Sequence, residues 1–449
     1  MAAPWRGVIR EYFDRLPFSE GDPIVTLGEG GTPLIDAPAL AKLLDVGSVH
    51  LKFEGMNPTG SFKDRGMTTA VSKAKAQGAK AVIAASTGNT SAAAAAYAVK
   101  AGMQSVVLVP AGKISWGKLS QAVAHKAQIL QVKGNFDDCL RLARELSDSY
   151  PVFLVNSVNP DRLQGQKTAA FEVVDVLGEA PDLHAMPLGN AGNISAYHLG
   201  YREEVADGRI KKLPKLFGIQ ASGSAPFVQG SPVLKPETIA TAIRIGNPAS
   251  WDLAQEAKRD TDGGFDAVTD KEILWMHRFL SQECGVFVEP SSAAGAAGLH
   301  KLKQLGTLPQ VNSVVVTVTG HGLKDPDWAL KDERGRAIKP KKVTATADAV
   351  AGIVDVVEIR QVHRVAELVC VDAHPLVLGD DRVAADDHAV GVQPVDGRRR
   401  YVELGHAGPA GLHRKFCAVL LGRQAHGRRL DAHREVLADQ DDVATRRRH

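Results

Sequence analysis

Up to about Lys342, short runs of β-branched and apolar residues alternate with stretches whose apolar positions recur at helical spacing. The runs Ala81–Ala85, Ser105–Val109, Ile129–Val132, Val152–Val155, Leu183–Leu188, Leu216–Gln220 and Ser313–Thr319 predict strands. The stretches Met67–Lys80, Thr90–Ala101, Phe136–Ser149, Gly165–Leu177, Ile194–Ala206 and Asp270–Cys284 predict helices. Strand and helix in strict succession mean an α/β protein with parallel sheets covered on both faces. The length of this front part suggests two such units. In this class ligands sit at the carboxyl ends of strands, where helices begin. Several of the predicted strands end there in Gly, Ser, Thr or Asn.

The pattern breaks down beyond about Ala351. The last 99 residues contain no Ser, Asn or Met, and they carry 14 Arg against a single Lys, Lys415, with 8 of the 15 His. Basic and acidic residues balance at 15 each, so the net charge of +3 belongs to the front part. One reading is a regulatory or oligomerisation domain. The reading favoured by this composition is a GC-rich frame not selected to encode protein, as after a frameshift near the natural stop. On it, the tail has no function, and Arg398–Arg400 and Arg446–Arg448 reflect codon composition rather than nucleic-acid patches.

Composition narrows the class. Of 449 residues, 44% are apolar and 23% charged, the ordinary balance of a soluble globular protein. The small net charge gives no support to nucleic-acid binding. Cys139, Cys284, Cys370 and Cys417 show no CxxC spacing and read as reduced thiols in the cytoplasm. Residues 1–18 lack the apolar core of a signal peptide, and no apolar run reaches membrane-spanning length.

Candidate chemistry centres on Asn57-Pro58-Thr59-Gly60-Ser61-Phe62-Lys63-Asp64-Arg65-Gly66. The Pro/Gly turn holds the Lys63 amine at a helix start, where the dipole and partial burial lower its pKa and make it nucleophilic. A lysine forming a Schiff base with an aldehyde cofactor needs this. Ser86-Thr87-Gly88-Asn89-Thr90-Ser91 opens an Ala-rich helix, as a plain N-cap or as a cradle for a carboxylate. Gly189-Asn190-Ala191-Gly192-Asn193 is an ordinary βα turn or a phosphate loop, and it is neither GxGxxG nor a Walker loop. Thr319 ends a buried strand and can bond a ring nitrogen; His321 beside it reads as a turn residue more readily than as an acid or base. Arg162, near Asn156 and Ser157, either pairs on the surface with Asp161 or Glu172 or binds a phosphate bidentately. An amine, a phosphate cradle, a ring-nitrogen partner and a carboxylate site together make up the inventory for pyridoxal 5'-phosphate.

With these motifs and Glu29-Gly30-Gly31-Thr32-Pro33-Leu34 and Gly322-Leu323-Lys324-Asp325-Pro326, about three quarters of the chain resembles the threonine synthases, within the fold type II pyridoxal-phosphate enzymes. The resemblance implies two open, twisted, mainly parallel sheets flanked by helices, as in the tryptophan synthase β subunit. Residues 1–50 plus 151–345 are assigned to a large α/β domain, 51–150 to a small one, and 351–449 to an atypical tail, read as disordered and not as a functional domain. It further implies Lys63 as the Schiff-base lysine, Asn89 as partner of the cofactor's phenolic oxygen, and Gly189, Asn190, Ala191, Gly192 and Asn193 as the cofactor phosphate loop. Thr319 is then the pyridine-nitrogen partner, and no metal is expected. Ser86 and Thr87 fall to the substrate carboxylate or phosphate, and Asn156, Ser157 and Arg162 to the substrate phosphate. Relatives often carry a different polar residue at His321, and the family's usual end is lost near Ala349–Val354.

What the resemblance implies chemically is conversion of O-phospho-L-homoserine and water to L-threonine and phosphate by a cytoplasmic homodimer. Lys63 then tethers the cofactor and shuttles protons. A threonine or serine dehydratase on the same fold is the nearest alternative, but such enzymes show a triglycine-type loop and a Ser or Cys at the ring nitrogen. A non-catalytic ligand-binding protein is the alternative from another class, and the intact Lys63 argues against it.

Overall fold

The computed structural model describes residues 4–112, 116–332, 335–347, 350, 389–395 and 398–403. Its first compact unit spans Met1–Ile338 and its second Lys339–His449. The first unit is built on two sheets. The larger runs in the order β1 (Leu34–Asp36), β2 (Ser48–Phe53), β10 (Ser313–Val318), β7 (Leu183–Pro187), β8 (Lys215–Ala221) and β9 (Gly264–Val268). Only β1 is antiparallel to its neighbour. The smaller sheet is wholly parallel, in the order β5 (Gln128–Val132), β4 (Gln104–Pro110), β3 (Ala81–Ala85) and β6 (Val152–Leu154).

Every predicted strand is present to within a residue at each end, and the helix Phe136–Ser149 matches its expected bounds. Central strands are continuous apolar runs because both faces are covered: all five residues of β3 and all five of β7 are buried. Three strands of this unit went unpredicted. β2 carries His50 and Lys52 within its apolar pattern, and β9 contains Gly264 and Asp266. β1 is only three residues long.

A buried charge cluster ties β2 to the helices Lys63–Ala76 and Asp161–Leu177. Arg65 Nη1 and Nη2 donate to Glu172 at 2.6 and 2.7 Å, while Nε and Nη2 donate to Glu54 at 2.7 and 2.9 Å. Lys52 Nζ also donates to Glu172 at 2.7 Å. Burial alone raises a carboxylate, but Arg65 and Lys52 outweigh it and hold Glu172 at about 2. Two cations thus meet two anions, which is what allows all four to be buried. The Glu29–Leu34 motif serves this cluster: Gly31 N–H donates to Glu172 Oε1 at 2.9 Å and Thr32 Oγ1 to Glu54 Oε1 at 2.8 Å.

In the second unit, β11 (Ala389–Val395) pairs antiparallel with β12 (Arg398–Glu403). Arg398–Arg400 fall in β12, whereas Arg446–Arg448 lie outside the described residues.

Candidate active site

Lys63 is the first residue of the helix Lys63–Ala76. The turn before it is clamped to the end of β10. Phe62 N–H donates to Thr319 O at 3.0 Å, His321 N–H donates to Gly60 O at 2.9 Å, and Ser61 bridges Gly320. Gly60 has φ +85°, which favours glycine at that bend. Asp64, pushed up to about 7 by burial, accepts the Thr59 N–H at 2.6 Å and closes the turn. The Lys63 side chain retains some solvent access. The protein around it nevertheless strips enough water to lower the amine to about 7; Arg162 pushes the same way and Glu289 opposes. A neutral amine is therefore available near neutral pH.

Arg162 is fully buried in the helix Asp161–Leu177. It pairs with neither Asp161 nor Glu172. Its Nη1 donates to Val155 O at 3.3 Å, while Nε and Nη2 are buried without a partner. Burial lowers the guanidinium to about 10. A buried cation with orphaned donors beside Lys63 fits an anionic ligand.

The loop after β7 turns on Ala191, at φ +67°, and delivers the helix Gly192–Ala206. Gly189 is pressed against neighbouring backbone, since a Cβ there would sit 3.1 Å from Ile243 Cα. Asn190 ties three segments together: Nδ2 donates to Ser157 Oγ, and Oδ1 accepts the Ala249 N–H at 2.6 Å. Asn193 Nδ2 faces Met186 Sδ at 3.8 Å. The opening N–H groups of Gly192–Ala206 have no intrahelical partners, which suits a phosphate.

Ser86 Oγ accepts the Gly88 N–H at 3.2 Å, and Thr87 follows it on the same loop. A Cβ on Gly88 would meet nothing within 4 Å, so this loop borders open space. Asn89, first residue of Asn89–Ala101, donates from Nδ2 to Glu289 Oε1 at 2.9 Å. Asn156 spends both ends of its amide on Ala85, N–H and C=O, each at 2.9 Å. It fastens β3 to the Asn156–Arg162 segment. Thr319 Oγ1 lies 2.9 Å from Ser292 Oγ, which accepts the Gly320 N–H at 2.8 Å. If Ser292 donates, the Thr319 hydroxyl keeps its own proton for a ring nitrogen. His321 caps a turn, its Nδ1 accepting the Leu323 N–H at 3.1 Å.

Glu289 and Ser292 were not legible as site residues. Glu289 is buried, and that burial raises it to about 7. In sequence it is one acid between Val288 and Pro290, indistinguishable from a surface turn. Elsewhere among the described residues, His198, Glu256 and Asp260 bring three potential ligand atoms within 4.8 Å of one another. Arg202 pairs with Glu256 at 2.9 Å there, and Asp260 lies 3.1 Å from His198, whose pKa burial lowers, so the cluster reads as a contact between helices rather than a metal centre.

Residues 25–320 match the family described as pyridoxal-phosphate dependent enzyme. The chain is 58% identical to a threonine synthase of Mycobacterium leprae over 345 residues, 77% of this chain and 95% of the relative. It is 60% identical to a threonine synthase of Mycobacterium tuberculosis over 330 residues, 73% of this chain and 91% of the relative. Among solved structures it resembles maize serine racemase, with a TM-score of 0.57 and 19% identity, covering 71% of this chain and 94% of that one. That likeness speaks for the fold alone. Orphaned Arg162 nitrogens, a neutral Lys63 amine and the Gly189–Asn193 loop all suit the cofactor and an anionic substrate, and on this evidence the chain belongs to the pyridoxal-phosphate dependent enzymes and, within them, to the threonine synthases.

Proposed function

We propose that the chain converts O-phospho-L-homoserine and water to L-threonine and phosphate at the site around Lys63. The observation that carries this is buried Arg162, with two partnerless nitrogens beside Lys63 and in addition to the Gly189–Asn193 loop. Two separate places for phosphate suit a phosphorylated cofactor together with a phosphorylated substrate. A dehydratase acting on threonine or serine needs only one.

When bound, pyridoxal 5'-phosphate supplies a conjugated aldehyde ring that draws electron density from the substrate's α-carbon. Lys63 Nζ tethers that group. Once released it would take first the α-proton and then a β-proton, a task for an amine that burial already holds below its ordinary pKa. Residues 189–193 hold the cofactor phosphate. Thr319 would give its hydroxyl to the ring nitrogen, and the second Asn89 N–H would serve the ring oxygen. Ser86 and Thr87 orient the substrate carboxylate. Arg162 and Ser157 hold the substrate phosphate and keep it in place until the γ-carbon releases it, and Asn156 keeps their segment against β3. The electron pair left by the β-proton would expel phosphate from the γ-carbon, Lys63 would return its two protons to the γ- and α-carbons, and water would give its hydroxyl to the β-carbon and its remaining proton to the departing phosphate.

The reading extends to a homodimer in the cytoplasm that meets neither membrane nor nucleic acid. Among the described residues no helix is long and apolar enough to cross a membrane. Sedimentation of the purified chain tests the dimer. Phosphate release from O-phosphohomoserine, assayed beside 2-oxobutanoate release from threonine, tests the activity. Release of 2-oxobutanoate alone would establish the dehydratase instead.

A further inference from the structure

Glu289 is a carboxylate that the proposed reaction does not use, yet several contacts hold it in place. It is 5% exposed. Its N–H donates to Gly320 O at 3.0 Å, and its C=O accepts the Ser292 N–H at 2.9 Å. A Cβ on Gly320 would come 2.4 Å from Oε1, so that glycine leaves room for the carboxylate. Oε1 accepts the hydrogen bond from Asn89 Nδ2 at 2.9 Å, across 200 residues of sequence.

An asparagine amide has two N–H donors on one side and a carbonyl acceptor on the other. Rotated by half a turn, it presents the opposite polarity to whatever it faces. Here Glu289 Oε1 accepts from Nδ2, so the carboxylate holds the nitrogen side of the amide and fixes its plane. The second N–H then has one direction left to point. An oxygen bearing negative charge on the cofactor ring needs a donor there and is repelled by a carbonyl.

We propose that Glu289 is a positioning residue that fixes the Asn89 amide with its second N–H toward the cofactor's ring oxygen. The inference rests on the reading in which Asn89 faces that oxygen. Its logic is that of the outer partner that orients a histidine bound to a metal.

The test is reconstitution of cofactor-free protein with pyridoxal 5'-phosphate, followed by absorbance and titrated for affinity. Glu289→Met keeps the volume and removes the acceptor, whereas Glu289→Gln keeps an acceptor. Losing one hydrogen bond to a charged oxygen weakens binding about tenfold. Glu289→Met and Asn89→Ala should each do so and shift the bound absorbance in the same direction. The double variant should bind within about threefold of Asn89→Ala, because both changes remove one interaction. Glu289→Gln should lie within about threefold of the parent. If Glu289→Met does not fold, Glu289→Asp, which draws the acceptor back by one methylene, carries the same expectations. A Glu289→Met spectrum and affinity equal to the parent's, beside an altered Asn89→Ala, overturns the role of Glu289 and leaves the Asn89 reading standing. Fully additive losses in the double variant overturn it too. Parent-like behaviour of Asn89→Ala itself overturns the reading beneath it.

Discussion

Replacing Arg162 with methionine separates what this side chain does for binding from what it costs the fold. The guanidinium is fully buried, with one bond of 3.3 Å to Val155 O and two partnerless nitrogens. Burial lowers it from the ordinary guanidinium value to about 10. A drop of that size disfavours the charged form in the folded, ligand-free protein by about 3 kcal/mol. The sign is that of a base with a depressed pKa: the penalty is present in full below about 10 and is relieved only as pH rises above it. Near neutrality the whole penalty applies. Methionine fills similar space without charge and gives up only the Val155 bond, worth about 1 kcal/mol. Cofactor-free Arg162→Met is thus expected to be more stable than the parent by about 2 kcal/mol in urea denaturation near neutral pH. Catalysis moves the other way. Two charge-assisted bonds to the substrate phosphate, at about 1.5–3 kcal/mol each, correspond to a loss of about 10²–10⁴ in kcat/KM. With the cofactor bound and its phosphate loop filled, inorganic phosphate at about 100 times its Kd should stabilise the parent by about 2.7 kcal/mol and leave the variant unmoved. A variant less stable than the parent, or one that handles O-phosphohomoserine with unchanged kcat/KM, refutes this reasoning.

Lys63→Ala should lose both the tethered-cofactor absorbance and threonine production, and parent-like production would remove Lys63 from its role. Because the Lys63 amine of the cofactor-free protein sits near 7, the rate at which it captures pyridoxal 5'-phosphate should fall about tenfold per pH unit below that value as the amine takes up its proton; a flat acid limb would contradict it. Glu172→Gln leaves Arg65 and Lys52 with one fewer anion and should cost about 3–5 kcal/mol in urea denaturation, so a loss below about 1 would show the cluster to be well hydrated. A chain ending at residue 350 should keep phosphate release, and its loss would give the tail a function.

The sheets were legible because buried parallel strands are continuous apolar runs, and β3 and β7 are buried at every position. β2 was not, because Lys52 is buried by pairing with Glu172, a partner that no local pattern reveals. Helix starts misled in one direction. The structure begins them at Lys63, Asp161 and Gly192, whereas apolar periodicity begins them at Met67, Gly165 and Ile194. The skipped residues include Lys63, Arg162, Gly192 and Asn193, whose polarity serves the site rather than the core. Chemistry-bearing residues thus erased the signal of the elements that hold them. Motifs recovered them where residue type was distinctive, as in the Lys63 turn, and failed for Glu289, whose burial depends on contacts with Asn89 and Gly320.

The site exists because helix starts converge and cannot drift apart. Helices begin at Lys63, Asn89, Asp161 and Gly192, and their positive ends favour anionic groups and a neutral rather than protonated lysine. The helices carrying Lys63 and Arg162 touch backbone to backbone: a Cβ on Gly165 would lie 1.9 Å from Arg65 O. Gly200 does the same between the Arg162 helix and Gly192–Ala206, where a Cβ would lie 2.5 Å from Lys167 O. Hydrogen is the only substituent that fits at either crossing, so the spacing between those helices is set by glycine. Rotation at the first crossing is set by charge. Arg65 follows Lys63 by two residues on the same helix, Glu172 shares the helix of Arg162, and the two are joined through both Nη atoms. A two-point bond of this kind fixes angle as well as distance. Replacing it with apolar residues of equal volume could match its stability, but would leave the angle between the lysine helix and the arginine helix to packing alone.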